Sequence, residues 1–171
     1  MKQLTLFAMP ESKDAAHDTP HSHWKLFIDG ASRNNPGNAG AGIYLLKDSE
    51  FALEQGFYLG IRTNNEAEYY ALLLGLFFVK KMIAKGDTLH VISDSQLVVQ
   101  QLRGTYKVRK LELKPLNELG KKWLAECRGE VHHVLRTDNV EADRMANLGV
   151  DKKLPVPQEF ITVMNTNGIT W

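Results

Sequence analysis

The sequence predicts a single α/β domain: a five-stranded mixed sheet in the order βββαβαβα, with helices on both faces. Three observations lead there. Three strand-like apolar segments come first, close enough together to be joined as hairpins. After them, apolar strands alternate with segments of helical period, the pattern of crossover connections. The length of 171 residues suits one domain plus tails, with enough chain to bury a core.

Along the chain, "WKLFIDG" reads as a strand ending in an acid, and "SRNNPGNAG" as a turn rich in Asn, Gly and Pro. "AGIYLLKD" and "FALEQGFYLG" are the next two strands. A helix is expected from about Asn65 into "KKMIAKG", with Gly86 as its stop. "TLHVISD" is a fourth strand, again ending in an aspartate, and a helix from about Ser95 to Arg103 follows. "LKPLNELGKKWLAECR" is helical after Pro115, "EVHHVLR" is the fifth strand and "NVEADRMANLG" the last helix. This organisation divides the chain into an extension over 1–23, a domain over 24–150 and a tail over 151–171. The extension has no sustained period and is expected to be mobile. The tail, with Pro155, Pro157 and "NTNG", is expected to be irregular, docked through Phe160, Ile161 and Trp171.

Composition narrows the function classes. The chain is 43% hydrophobic and 24% charged, as in ordinary globular proteins, and its formal net charge is +1. No global basic field attracts a polyanion, so contact with nucleic acid has to rest on local groups. Cys127 is the only cysteine, which leaves no intramolecular disulfide and no cysteine metal knuckle. The longest apolar run, from Tyr69 to Val79, is too short to span a bilayer. The expectation is a monomer in the cytoplasm with no membrane partner.

The chemistry is expected where carboxylates gather. Asp29 and Asp94 both end apolar strands, and neighbouring strand ends in a partly parallel sheet open onto one crevice. The fifth strand leads by a short loop into the helix that carries Asp143. A lone aspartate at any of these places reads as a turn, cap or surface residue. Several in one crevice repel each other unless a cation neutralises them. Mg2+ suits such a site because it takes oxygen ligands and keeps waters that phosphate oxygens can replace.

"FIDGASRNNPGNAGAG", "TNNEAE", "ISDSQ" and "NVEADRMAN" together resemble, in order and spacing, the signature blocks of the type 1 ribonuclease H family. The resemblance runs from Trp24 to Gly149 and implies the ribonuclease H-like fold. It places the family's metal-binding acids on Asp29, Glu68, Asp94 and Asp143. Helical phase bears on the glutamate separately. Residues two apart on a helix differ by about 200°, so Glu66 and Glu68 point to nearly opposite sides. Glu68 shares its stripe with Ala71, Leu72 and Gly75, small enough in part to let a helix lie close to a sheet, and Glu66 shares a bulkier one. A structural alternative is a capping box, with Asn65 as N-cap and Glu68 three residues on. Glu66 then reads as a first-turn acid favoured by the helix dipole.

The family's chemistry is a two-metal hydrolysis of the RNA strand of RNA–DNA hybrids, with two Mg2+ or Mn2+ ions and ends of 5′-phosphate and 3′-hydroxyl. By family position Ser32, Asn35, Asn64, Asn65 and Gln96 would sense the 2′-hydroxyl, and Thr63 would meet a phosphate of the DNA strand. Each has a plainer reading as a turn or cap residue. The chain departs from the fuller family pattern twice. "VLRTDNVEAD" shortens the loop that often carries a catalytic histidine, as in archaeal and bacterial short-loop members, and puts Arg136 in its place. His132 and His133, just before it, alternate to opposite faces and read as structural. "RGTYKVRKLELK" is a reduced form of a basic protrusion, with Arg103, Lys107, Arg109, Lys110, Lys114 and Tyr106. Short-loop members can also take double-stranded RNA or RNA–DNA junctions. Competing readings are another nuclease or strand transferase of this fold and a non-catalytic hybrid-binding module. Finally "QLTLF", from Gln3 to Phe7, resembles the peptide that docks DNA-handling enzymes on the bacterial sliding clamp.

Overall fold

The computed structural model describes residues 20–171. The peptide from Gln3 to Phe7 therefore lies outside the described residues. Strands β1 (His23–Ser32), β2 (Gly37–Lys47) and β3 (Glu50–Arg62) form an antiparallel meander. Helix α1 (Asn64–Met82) crosses over to β4 (Thr88–Ser93), which lies parallel to β1. Helices α2 (Gln96–Leu102) and α3 (Lys114–Glu126) lead to β5 (Gly129–His133), parallel to β4. Two further helices, α4 (Val140–Lys152) and α5 (Gln158–Thr166), complete the domain. The sheet order is β3-β2-β1-β4-β5, the five-stranded mixed sheet the sequence predicts.

Strand alternation shows which helix covers which face. A side chain on Gly42 would strike the backbone of Ala142 in α4, whereas one on Gly30 would strike the backbone of Ala67 and Glu68 in α1. These β-carbons point to opposite sides of the sheet, so α4 and α1 cover opposite faces. Every residue of α1 from Ala67 to Leu76 is buried, with no polar stripe. Such a helix has to be enclosed on all sides. Here the sheet, α3 and the C-terminal segment enclose it. Of its two buried tyrosines, Tyr69 donates to Gln101 at 2.8 Å and accepts from Asn117 at 3.0 Å, joining α1, α2 and α3.

Several boundaries differ from expectation. Strand β1 continues past Asp29 to Ser32, because Gly30, Ala31 and Ser32 go on pairing with β2 after the parallel partner β4 has ended at Ser93. Helix α1 stops at Met82 rather than at Gly86; Ile83 turns extended, and Gly86, with φ +97°, serves the turn into β4. The last segment is not irregular. Helix α5 buries Phe160 and Met164, one turn apart, and Ile169 follows them into the core, while Ile161 stays half-exposed. Trp171 sets its edge on Phe160 and Tyr70, and the Arg62 guanidinium lies over the Tyr70 and Trp171 rings at 5.2 and 5.6 Å. At nine residues, with Ile161, Thr162 and Val163 together, α5 is too short and too β-branched for its period to show.

If α5 is part of the core, Phe160→Ala should cost about 3–5 kcal/mol, as large-to-small changes at buried aromatics do. Denaturant unfolding should remain one cooperative transition with a lower midpoint. A loss below about 1 kcal/mol would show the segment to be an independent tail.

Candidate active site

The site forms where β1, β4 and α1 meet. Ile28 is the register partner of Ser93, so the next residues, Asp29 and Asp94, stand side by side. Gly30 then lets β1 touch the first turn of α1, which brings Glu68 down beside Asp29. Ligand oxygens of Asp29, Glu68 and Asp94 all lie within 4.8 Å of one another. Asp143, in the first turn of α4, approaches from the other face of the sheet, near enough for its charge to bear on Asp29. Three of the four acids expected from the sequence thus come together, with Asp143 acting on Asp29 through its charge.

The two glutamates near the start of α1 have separate tasks. Thr63 is the N-cap, and its hydroxyl accepts from the Glu66 amide at 3.2 Å. The Glu66 carboxylate in turn accepts from the Thr63 amide at 2.8 Å and hydroxyl at 2.9 Å. This is a capping box, two residues earlier than the Asn65–Glu68 pairing the sequence allows. Glu68 has no capping task. It is 4% exposed, and one of its oxygens, Oε2, is buried without a hydrogen-bond partner.

Burial and repulsion act on the protons of this group. Asp29, 5% exposed, has its carboxyl pushed up to about 8, first by burial and then by the charges of Asp94 and Asp143. Glu68 is pushed well above the usual carboxylate range by burial and by Asp29 and Asp94, with the Gly30 amide pulling the other way. Like charges out of water cannot all ionise without a counter-charge. A hard divalent cation is such a counter-charge, and the unpartnered Glu68 oxygen is a ready ligand for it. The residues present therefore fit Mg2+ or Mn2+.

Of the other expected site residues, Asn35 and Asn64 meet directly: the Asn64 amide donates to the Asn35 side chain at 3.0 Å. Ser32 donates to the Arg62 carbonyl at 3.0 Å, holding the turn after β1 against the end of β3. The Thr63 hydroxyl is engaged with Glu66 as the cap of α1. Gln96 opens α2 and is exposed, next to Asp94 in the chain. Asn65 borders an open cleft of about 530 Å³ with Gln101, Tyr106, Lys107, Arg109 and Lys110. Arg103 is drawn out of the basic set, since its guanidinium donates to the Val131 carbonyl at 2.6 and 3.2 Å. Arg136 is 80% exposed in its side chain and reaches Asp143 at 3.2 Å, which keeps the guanidinium firmly charged.

Two residues that sequence reasoning missed support Asp94. Asn139 is buried and donates from Nδ2 to the Ile28 carbonyl at 2.9 Å and to Asp94 at 3.4 Å. It stands at the N-cap of α4 yet makes no capping bond, so its place before an acidic first turn was the available signal. His133 lies 3.2 Å from the Asp94 carbonyl through Nε2. Strand alternation separates it from His132 but does not show that the end of β5 reaches the Asp94 turn.

Residues 27–149 match the family described as reverse transcriptase-like. The chain is 35% identical over 127 residues to ribonuclease HI of Halobacterium salinarum, across 73% of this chain and 63% of that protein. It is 36% identical over 126 residues to a bifunctional protein of Mycobacterium tuberculosis, across 72% of this chain and 34% of that one. The chain thus spans less than two thirds of the length of these curated relatives. The solved RNase H1 of Halobacterium salinarum has a TM-score of 0.71 at 33% identity, covering 76% of this chain and 98% of that one. LC11-RNase H1, solved in complex with an RNA/DNA hybrid, has a TM-score of 0.69 at 31% identity, covering 76% and 98%.

The electrostatics make a prediction about the metal-free protein. Because the folded state keeps on Asp29 a proton that an ordinary carboxyl, at 3.8, releases, stability should fall as pH rises from about 4 to about 8. Asp29→Asn removes that loss. In excess chelator at pH 8 it should raise the melting temperature by about 3 °C or more, roughly 1 kcal/mol. An unchanged or lower melting temperature would show that Asp29 carries no buried-charge penalty.

Proposed function

We propose, since the chain belongs to the type 1 ribonuclease H family, that it hydrolyses the RNA strand of RNA–DNA hybrids, leaving 5′-phosphate and 3′-hydroxyl ends. The observation that carries this reading is the convergence of Asp29, Glu68 and Asp94 within 4.8 Å, one of them with an unpartnered buried oxygen. Asp29, Glu68, Asp94 and Asp143 would hold two Mg2+ ions, with Mn2+ able to substitute. Bound there, the ions supply charge stabilisation at the scissile phosphate and make the attacking water more acidic.

The chain's own residues do the rest. Asp29 neighbours Glu68 and Asp94 and feels the charge of Asp143, so it would help hold the ions together with all three. Asn139 fixes Asp94 against the end of β1, so its carboxylate is aimed before substrate arrives. Arg136 acts as a positioning residue on Asp143 and brings positive charge to the mouth of the site. The short polar groups of Ser32, Asn35, Asn64, Asn65 and Gln96 would sense the ribose 2′-hydroxyl, which both donates and accepts hydrogen bonds. Lys107, Arg109 and Lys110 extend from the Asn65 side along the cleft, where phosphate contacts would be salt-sensitive. The hybrid bound by LC11-RNase H1 supports this choice of substrate.

Cleavage of end-labelled RNA–DNA hybrid, double-stranded RNA and double-stranded DNA in Mg2+ tests the reading. Hybrid should be cut and all-DNA duplex spared, while cutting of double-stranded RNA or of junctions would broaden the specificity. Glu68→Gln and Asp94→Asn should each lower hydrolysis ~100-fold or more. Glu66→Gln, which keeps a capping box, should stay within about threefold of the parent. Equal losses in Glu66→Gln and Glu68→Gln would refute the division of labour, and cutting of all-DNA duplex would refute the substrate.

A further inference from the structure

Helix α4 covers β1, β2 and β3 on its face of the sheet. On the same face of β4 and β5 the side chains are half-exposed or exposed, in contrast to buried Leu89, Val91 and Val131 on the other face. Three of them converge. His90 Nδ1 and His132 Nε2 are 2.8 Å apart, and the Glu130 carboxylate lies 4.0 Å from the first and 3.7 Å from the second. Strand geometry produces the cluster: Glu130 and His132 are two residues apart on β5, hence on one face, and His90 is the register partner of Glu130 on β4.

The geometry points to a transition-metal site on His90, Glu130 and His132, for an ion of the Zn2+ class, separate from the carboxylate centre. Tetrahedral bonds of about 2.1 Å put ligand atoms roughly 3.3–3.5 Å apart, and the three separations here bracket that spacing. Glu130, 71% exposed in its side chain, is free to swing the remaining few tenths of an ångström. Both imidazoles are more than a third exposed, so a water can fill the fourth position. Two imidazoles and one carboxylate select Zn2+, Co2+, Ni2+ or Cu2+ over Mg2+, the reverse of the all-oxygen set at Asp29. An ion held here ties β4 to β5, the strands that lead into Asp94 and toward Arg136. The inference does not depend on the proposed hydrolysis.

The test is titration of the full chain with Co2+ and with Zn2+ in excess Mg2+, which keeps the carboxylate centre saturated. A single equivalent should bind with micromolar affinity, Co2+ should show tetrahedral d–d absorption, and Zn2+ should raise the melting temperature. His90→Gln and His132→Gln should each weaken binding ~10-fold or more, and the double variant should lose the absorption band. Hydrolysis in Mg2+ alone should be unchanged in the same variants, and so should their melting temperatures in chelator. Asp29→Asn should keep the Co2+ spectrum. Undiminished binding in the double variant would assign the ion elsewhere, for instance to exposed His21 and His23, and would overturn the site. Failure of the parent chain to bind would overturn it as well.

Discussion

Two carboxyl groups, Asp29 and Glu68, are held out of water side by side because Gly30 lets β1 touch the first turn of α1. The rest of the site depends on that contact. It sets the depth of Glu68 and leaves one of its oxygens unpartnered, with no room for a bulkier residue at Gly30 to relieve the strain. Register places Asp94 beside Asp29, and the close approach of α4 to Gly42 brings Asp143 in from the other face. The fold thus assembles, from four separate segments, a charge arrangement that is unfavourable by itself. A divalent cation would turn that disadvantage into binding energy, a common way for a site to give up stability for function.

Around this centre most polar side chains hold the frame as well as facing outward. Thr63 and Glu66 cap α1, Asn35 fastens the β1–β2 turn to the start of that helix, and Ser32 fastens it to β3. Asn139 links β1, the Asp94 turn and α4 through one side chain. A substitution at any of these positions would also shift the acids. Kinetic effects there need a separate measure of stability before they are read as recognition.

How much of this was legible in the sequence varies with the distance over which the cause acts. The succession of five strands and the first four helices follows from local apolar patterning and its breaks at Gly, Pro and Asn. Helical phase separated Glu66 from Glu68, because 200° of rotation is a local fact. The cap is not decided locally, since "TNNEAE" offers both Thr63 with Glu66 and Asn65 with Glu68, and only the chain's arrival from β3 chooses the first. The role of Asn139, the loss of Arg103 to the Val131 carbonyl and the helical form of α5 all arise from contacts far apart in the chain. No spacing rule reports those. The histidine cluster falls between: strand alternation separates His132 from His133, but pairing of β4 with β5 is needed to bring His90 to it.

The carboxylate group should stay under-ionised until a divalent ion arrives. Carbon-13 NMR titration of the Asp29 carboxyl, with and without saturating Mg2+, measures this directly. Without metal, Asp29 should titrate near 8, and saturating Mg2+ should bring its midpoint down by at least two pH units, on the order of 3 kcal/mol of linkage. A metal-free midpoint near the ordinary 3.8, or one that Mg2+ leaves unmoved, would contradict the account.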